Sequence, residues 1–259
     1  MQPMRLRVTS YNIHRGYGRD GRYDPDRILR VLKEIDADIV ALQEVDFPGR
    51  HPDQLLSWLA LELGMTEVGG PVRTSAVGRY GNGLLTRYPV KHVEQWDLSV
   101  GRYEPRGALA ADMLCHGVMI RVVTTHLGLW PKERPVQTAR LLKCLQINRE
   151  ALTILMGDLN EWQVWGKSLR VLRTVFGSPA SPPTFPAAWP VLALDRIWVS
   201  PPRALRGIRV HRTAESRTAS DHLPVRAEIR FELISRTGAR RRDGYEPTPT
   251  ATGWGRSML

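Results

Sequence analysis

Apolar and polar positions alternate over Leu6–Tyr11, a run containing Val and Thr, and this period of two predicts a β-strand. The period lengthens after Asp24-Pro25-Asp26. Asp24 is placed to cap a helix and Pro25 to fill its first position, where its missing N–H has no helical partner to lose. Ile28, Leu29, Val31, Leu32 and Ile35 then form one apolar stripe. The apolar run Asp38–Gln43 predicts a buried strand ending at Glu44. A second helix is expected from about Asp53 to Leu63, with Leu55, Leu56, Leu59, Ala60 and Leu63 inward.

The middle of the chain is richer in strand patterns. Gly81–Tyr88, Val90–Leu98, Gly107–Leu114 and Val118–Thr125 read as a run of antiparallel pairs, joined by turns such as Tyr88-Pro89 and His116-Gly117. A helix is expected from about Glu133 to Asn148, carrying Val136, Leu141, Leu142, Leu145 and Ile147. The strand Ile154–Met156, a helix over Lys167–Phe176 and a Pro-rich loop, Ser178–Pro190, come next. Strands Leu192–Val199, Leu205–His211 and Pro224–Leu233 complete the pattern. Each half supplies strands with a helix or two, and no repeat suggests a solenoid. A four-layer α/β sandwich, helix–sheet–sheet–helix, is the natural way to bury such a set. After Ser235 Gly, Pro, Thr and Arg take over, so residues 1–234 are expected to fold as one domain and 235–259 to be a basic, disordered tail.

Composition narrows the class. With 259 residues and 42% hydrophobic content, the chain can fill a sizeable core. Cys115 and Cys144 make neither a disulfide framework nor a zinc set and are expected to be reduced core thiols. No long apolar segment precedes the first strand and none approaches a membrane span, so the expectation is a soluble, cytoplasmic monomer. The net charge of +11 is concentrated late, in Arg203, Arg206, Arg209, Arg212 and Arg217, then Arg236, Arg240, Arg241 and Arg242. Arginine forks suit phosphate oxygens, so a polyanionic partner is one reading; a merely soluble, arginine-rich surface is the other.

The chemistry gathers at strand ends. The apolar run over 152–156 stops at Gly157 and is followed at once by Asp158-Leu159-Asn160-Glu161-Trp162. If the chain stays extended, Asp158 and Asn160 share a face; an Asx turn capping the strand is the ordinary alternative. Similar polar clusters close other strand-like runs: Ser10-Tyr11-Asn12, Gln43-Glu44-Val45-Asp46, Thr125-His126-Leu127 and Ser220-Asp221-His222. Asp195, inside Leu194-Asp195-Arg196-Ile197, is a charge in an apolar strand. It needs a partner, and a histidine makes chemical sense.

In this order the clusters resemble the endonuclease/exonuclease/phosphatase superfamily, the fold of deoxyribonuclease I, apurinic endonucleases, inositol-polyphosphate 5-phosphatases and neutral sphingomyelinases. The resemblance runs from about Arg5 to Leu233. It implies a metal-dependent phosphoesterase that cleaves a phosphodiester by in-line attack of an activated water. Glu44 would be the main ligand of Mg²⁺ or Mn²⁺, with Asn12 beside the ion and Asp221 a further ligand; their hard oxygens suit such a cation. His222 and Asp195 would be an oriented histidine–carboxylate pair. Asp158, with Asn160 beside it, competes with His222 as general base, and the sequence leaves that choice open. His126 stands where apurinic endonucleases have tyrosine, and would donate a proton or hold a phosphate oxygen. The glutamate that supports it in deoxyribonuclease I is absent; the comparable region offers Asn82. Asn82 and Arg106 are candidates for binding substrate phosphate.

The expected substrate is nucleic acid, held by its backbone. Trp189-Pro190-Val191-Leu192-Ala193-Leu194-Asp195-Arg196-Ile197 is similar to an inositol 5-phosphatase element, although the arginine those enzymes place after Gly-Asp-x-Asn is missing. A phospholipid headgroup therefore stays open, as does a catalytically silent binding module with a basic face. Trp130, Trp162, Trp165 and Trp189 lie in loops next to the clusters, where tryptophan can stack on bases, touch lipid or simply pack.

Overall fold

The computed structural model describes residues 4–47, 54–71, 79–145 and 151–231. Strands β1 (Met4–Asn12), β2 (Ile39–Phe47), β3 (Thr66–Pro71), β4 (Arg79–Thr86), β10 (Leu205–Val210) and β11 (Val225–Phe231) form one sheet, ordered β10-β11-β1-β2-β4-β3. A second sheet holds β5 (Val90–Asp97), β6 (Gly107–Cys115), β7 (Val118–His126), β8 (Leu152–Asp158) and β9 (Asp195–Ser200) in chain order.

The period of two sorts side chains into layers. Leu6 and Val8 of β1, Ile39 and Ala41 of β2 and Leu84 of β4 face Leu109, Val122, Ile154 and Met156 of the other sheet in a shared interior. The alternate residues point outward. Tyr11, Val40 and Leu42 meet helices α1 (Pro25–Ile35) and α2 (Leu55–Leu63); Val123, Leu155 and Trp198 meet α3 (Arg134–Leu145) and α4 (Lys167–Phe176). This is the expected four-layer sandwich. The run over 152–156 has no polar face because helix covers one side of β8 and sheet the other.

Two strand pairs are parallel, β1 with β2 and β7 with β8, each joined through a helix. Both crossovers leave carboxyl-terminal strand ends at the same edge of the sandwich. There β1 ends at Asn12, β7 at His126 and β8 at Asp158.

Some expectations are corrected. β4 does not pair with β5: Tyr88-Pro89 carries the chain from one sheet to the other, with Arg87 N–H bonded to Asp38 O (3.1 Å) and Leu114 N–H to Pro89 O (2.9 Å). β3 escapes the pattern because Gly69-Gly70 interrupts its alternation; a Cβ at Gly70 would lie 2.9 Å from Leu109 Cβ. β9 starts at Asp195, since Leu192 bridges back to Phe185 and Leu194 O accepts the Leu159 N–H. β2 runs past Glu44 to Phe47. Asp24 stands at the N-cap of α1, yet its carboxylate pairs with Arg27 at 3.0 Å and makes no capping bond. Val136 on α3 is exposed, and Cys144 is half-buried while Cys115 is fully inside. Asp53, Ile147, Asn148 and the 235–259 tail lie outside the described residues. No helix among the described residues is long and apolar enough to cross a membrane.

Gly157 is the tightest point of the second sheet. It sits at φ +149°, opposite Thr125, and a Cβ there would fall 1.9 Å from Thr125 O. Gly157→Ala is therefore expected to destabilise the protein by about 3 kcal/mol or more, because backbone must move and no flexible side chain can yield. Urea unfolding measures this; an unchanged midpoint would contradict the packing described.

Candidate active site

Glu44 reaches the mouth through a bulge. The register of β2 against β4 shifts between Leu42 and Val45, and Glu44 takes φ +57°. Such a bulge breaks the alternation that would otherwise bury the side chain or turn it outward. The neighbouring Asn12 donates one amide hydrogen to Glu44 Oε1 (3.1 Å) and the other to Asp158 Oδ2 (3.2 Å). One amide thus ties together two carboxylates from different sheets. Asn12 Oδ1 accepts the His14 N–H at 3.1 Å and keeps a second lone pair.

From the second sheet come His126 and Asp158, side by side on β7 and β8. The chain does not stay extended beyond Asp158. Asn160 takes φ +49°, and its N–H bonds to Asp158 Oδ1 at 2.9 Å, which is the Asx turn weighed above. Its side chain still joins the cluster, donating to Leu127 O at 2.9 Å with Nδ2 3.0 Å from His126 Nε2.

The third contribution is a buried pair. His222 Nδ1 lies 2.8 Å from Asp195 Oδ2, and its Nε2 is 3.7 Å from Asp158 Oδ2. Thr184 Oγ1 donates to the same Asp195 oxygen at 2.5 Å, and the Phe185 ring lies 4.8 Å from the imidazole, centre to centre. Ser220 Oγ anchors this segment by donating to Asn12 O at 2.8 Å. Thr184 and Phe185 carried no signal in the sequence: they lie in a Pro-rich loop whose fold-back is long-range. Ser220 lay within a recognised cluster, but nothing local gave it a task.

Arg106 is buried against His126. Its Nη1 is 3.2 Å from His126 Nδ1 and its Nη2 donates to Glu104 at 2.6 Å. Asn82 is also buried and donates to Gly107 O at 3.0 Å, a strut between the sheets. Asp221 stands at the rim, 3.3 Å from Ser220 Oγ and 3.9 Å from His14 Nδ1. Arg206, Arg209 and Arg226 line a groove of about 290 Å³ on the outer face of the first sheet.

Charge is distributed unevenly. Burial raises the Asp158 carboxyl to about 6, only partly offset by His222 and by the N–H groups of Asn160 and Asn12. Burial alone would lower His222, but Asp195, Asp158 and Asp221 outweigh it and raise the imidazole to about 10. Burial, then Arg106, then His222 hold His126 well below its ordinary value. Donors face both ring nitrogens, Arg106 Nη1 at Nδ1 and Asn160 Nδ2 at Nε2, and Nε2 also lies 3.5 Å from Asp158 Oδ2. As a neutral ring His126 holds no spare proton.

Two groupings could be considered for a metal. Asp158, Asp195 and His222 offer atoms within 4.8 Å of one another, yet the Nδ1 of His222 is already committed to Asp195. Glu44 is the better candidate. Its side chain keeps 23% exposure at the mouth, and its neighbours supply oxygen and imidazole groups without a thiolate. Such a donor set fits a hard divalent cation.

A family model described as "Endonuclease/Exonuclease/phosphatase family" matches residues 9–222. The chain is 33% identical over 254 residues to Uncharacterized protein YbhP of Escherichia coli (strain K12), covering 88% of this chain and 97% of that protein. Its fold is similar to that of the endonuclease/exonuclease/phosphatase from Bacteroides vulgatus, with TM-score 0.72 and 19% identity over 88% of this chain and 100% of that one. It is also similar to the human Nocturnin catalytic domain with bound sulfate anion, with TM-score 0.66 and 21% identity over 87% and 93%. These two likenesses concern the fold alone. The chain belongs to the endonuclease/exonuclease/phosphatase family. That family generally consists of hydrolytic phosphoesterases, and its members typically use divalent metals.

The His222 environment has a consequence for stability in metal-free protein. Its folded pKa, about 10, lies above the ordinary 6.5, so the folded state holds the extra proton between those values. The stabilisation is complete below about pH 6.5 and disappears as pH rises through about 10. In EDTA, the margin of the wild type over His222→Gln is expected to shrink across that window, read from unfolding midpoints. A constant or growing margin would contradict the imidazolium.

Proposed function

We propose that this protein is a Mg²⁺- or Mn²⁺-dependent phosphodiesterase that hydrolyses its substrate by in-line attack of an activated water. The observation carrying this reading is the Asn12 amide, which holds Glu44 and Asp158 together while His222 Nε2 stands 3.7 Å from Asp158. A cation-binding carboxylate and an acid–base pair thereby share one mouth.

Glu44 would hold the metal, which when bound polarises the phosphoryl group and takes up charge on the leaving oxygen. Asn12 positions Glu44 beside the ion, and Asp221 contributes from the rim. Asp158 accepts the proton of the attacking water, since its two oxygens are already oriented by Asn160 N–H and Asn12. His222, kept protonated and aligned by Asp195, stabilises the growing negative charge. His126, its ring fixed between Arg106 and Asn160, would hold a non-bridging phosphate oxygen. A silent binding module is the weaker reading, because Glu44, Asp158, Asp195 and His222 are all present.

The basic charge supports attraction to polyanions in general and carries little preference for nucleic acid, since Arg206, Arg209 and Arg226 line a groove outside the mouth.

Purified protein is expected to hydrolyse bis(p-nitrophenyl) phosphate with Mg²⁺ or Mn²⁺ and to lose that activity in EDTA. Glu44→Ala, Asp158→Asn and His222→Ala should each lower the rate by about 100-fold or more. Mn²⁺ should also raise the melting temperature of the wild type and not that of Glu44→Ala. Full activity in Glu44→Ala and His222→Ala would remove the mechanism.

A further inference from the structure

The rim of the second sheet is apolar and exposed in a way the chemistry does not require. Three loops leave the mouth there: the one after His126, the one after Asn160, and the one that folds Phe185 against His222. Their outward side chains are Leu129 and Trp130 in the first, Trp162, Val164 and Trp165 in the second, and Trp189 and Val191 in the third. Trp130, Trp165 and Trp189 are 62%, 69% and 77% exposed. Scattered exposed apolar residues are ordinary, but a set concentrated on one rim marks an interaction surface.

Buried charges join the roots of these loops. Arg134 donates to Leu129 O (2.6 Å) in the first loop and reaches Glu161 (3.4 Å) in the second. Arg196 spans Glu161 O (3.1 Å) and Ala193 O (3.0 Å), tying the second loop to the third. Glu133 accepts the Trp130 N–H at 2.9 Å and packs so closely on Gly128 that a Cβ there would fall 2.0 Å from its carboxyl carbon. Burying two glutamates and two arginines carries a desolvation cost. Here that network supports no core layer; it holds the exposed tips in a fixed array.

The polar complement identifies the partner. Exposed charges on the three loops are Lys132 and Lys167, while Glu133 and Glu161 are buried. The stretch 186–194 has no charged residue at all. A single-stranded nucleic acid would need cations along its backbone beside the aromatics, and it would gain nothing from Leu129, Val164 and Val191. Tryptophan mixed with aliphatic side chains and flanking lysines is the composition that settles at a bilayer interface, with the lysines reaching anionic headgroups.

We propose that these loops seat the mouth on an anionic phospholipid bilayer, and that the phosphodiester cleaved is that of a phospholipid headgroup. The substrate half rests on the phosphodiesterase reading above. In that reaction water oxygen bonds to phosphorus, one P–O ester bond breaks, and the proton taken by Asp158 leaves with the released alcohol.

The test uses full-length protein with phosphatidylcholine vesicles, with and without phosphatidylglycerol. Expected are flotation with the phosphatidylglycerol vesicles, a blue shift of tryptophan emission, and hydrolysis of the lipid. The triple change Trp130→Ala, Trp165→Ala, Trp189→Ala should weaken vesicle binding by about ten-fold or more while the melting curve is retained. Lys132→Glu with Lys167→Glu, a surface change that keeps every tryptophan, should weaken binding to the anionic vesicles selectively. His222→Ala should bind as the wild type does. Binding without hydrolysis of bis(p-nitrophenyl) phosphate would overturn the phosphodiesterase reading and leave the docking surface standing. Hydrolysis of that diester without vesicle binding would overturn the docking surface alone. Binding to vesicles that are never cleaved, with the soluble diester hydrolysed, would overturn the lipid as substrate. Emission shifted by single-stranded oligonucleotides and not by vesicles, or tryptophan-dependent self-association in sedimentation, would also overturn the proposal.

Discussion

Two carboxylates brought to one mouth, Asp158 buried and Glu44 partly open, are the constraint on which this structure turns. Glu44 and Asp158 come from different sheets, and like charges brought together repel. The Asn12 amide satisfies both through its two hydrogens, and the His222 imidazolium compensates Asp158 from the other side. Burial still raises the Asp158 carboxyl to about 6. A cation held by Glu44 would add positive charge to this mouth, and its binding would stabilise the fold. The two sheets also cannot slide or part without separating Asn12 from Asp158, which makes the polar mouth a register device for the apolar layers beneath it.

The scaffold delivers these groups by ordinary means and departs from them at two places. Parallel crossovers put Asn12, His126 and Asp158 at carboxyl-terminal strand ends, where open α/β sheets generally bind ligands. Strand alternation alone could not add Glu44 or Asn160. Each is a non-glycine residue in the left-handed region, at φ +57° and +49°. Such conformations persist where the surroundings over-determine them. Here the bulge in β2 and the Asx turn after β8 supply that determination, and each redirects one side chain into the mouth.

How far this was legible depends on whether a residue's role is written in its neighbours. Asp195 could be singled out because a charge inside an apolar strand demands a partner, and the His222 ring is in contact with it. The clusters at Asn12, Glu44, His126 and Asp158 announced themselves as polar groups abruptly ending apolar runs. The period of two likewise foretold the layers, because the same alternation decides which side chains face the other sheet. Tyr88-Pro89 was opaque: a tight turn within a sheet and a step between sheets look alike when only local pattern is visible. Gly69-Gly70 concealed β3 by removing the side chains that carry the pattern. The direction of the Asn12 amide was unreadable for another reason, since it is set by the His14 N–H on its oxygen together with the distant Glu44 and Asp158 carboxylates on its nitrogen. Thr184 and Phe185 act through a loop that folds back across the sheet, and no spacing encodes that.

The separation of charge from apolar surface completes the physical picture. Arg5 and Arg7 are partly neutralised by Glu228, Asp36 and Asp38, whereas Arg206, Arg209 and Arg226 have no ion-pair partner among the described residues. Their field attracts polyanions from a distance but fades beyond a Debye length of about 8 Å at physiological salt. The decision made on contact belongs to the loops at the mouth, where burial of tryptophan is insensitive to salt. In the proposed docking, charge on one face raises the encounter rate, and the apolar rim on another sets the orientation that brings the Glu44–Asp158 mouth onto the bilayer. The loops are tied at their roots to α3 through Arg134 and to β9, the strand of Asp195, through Arg196.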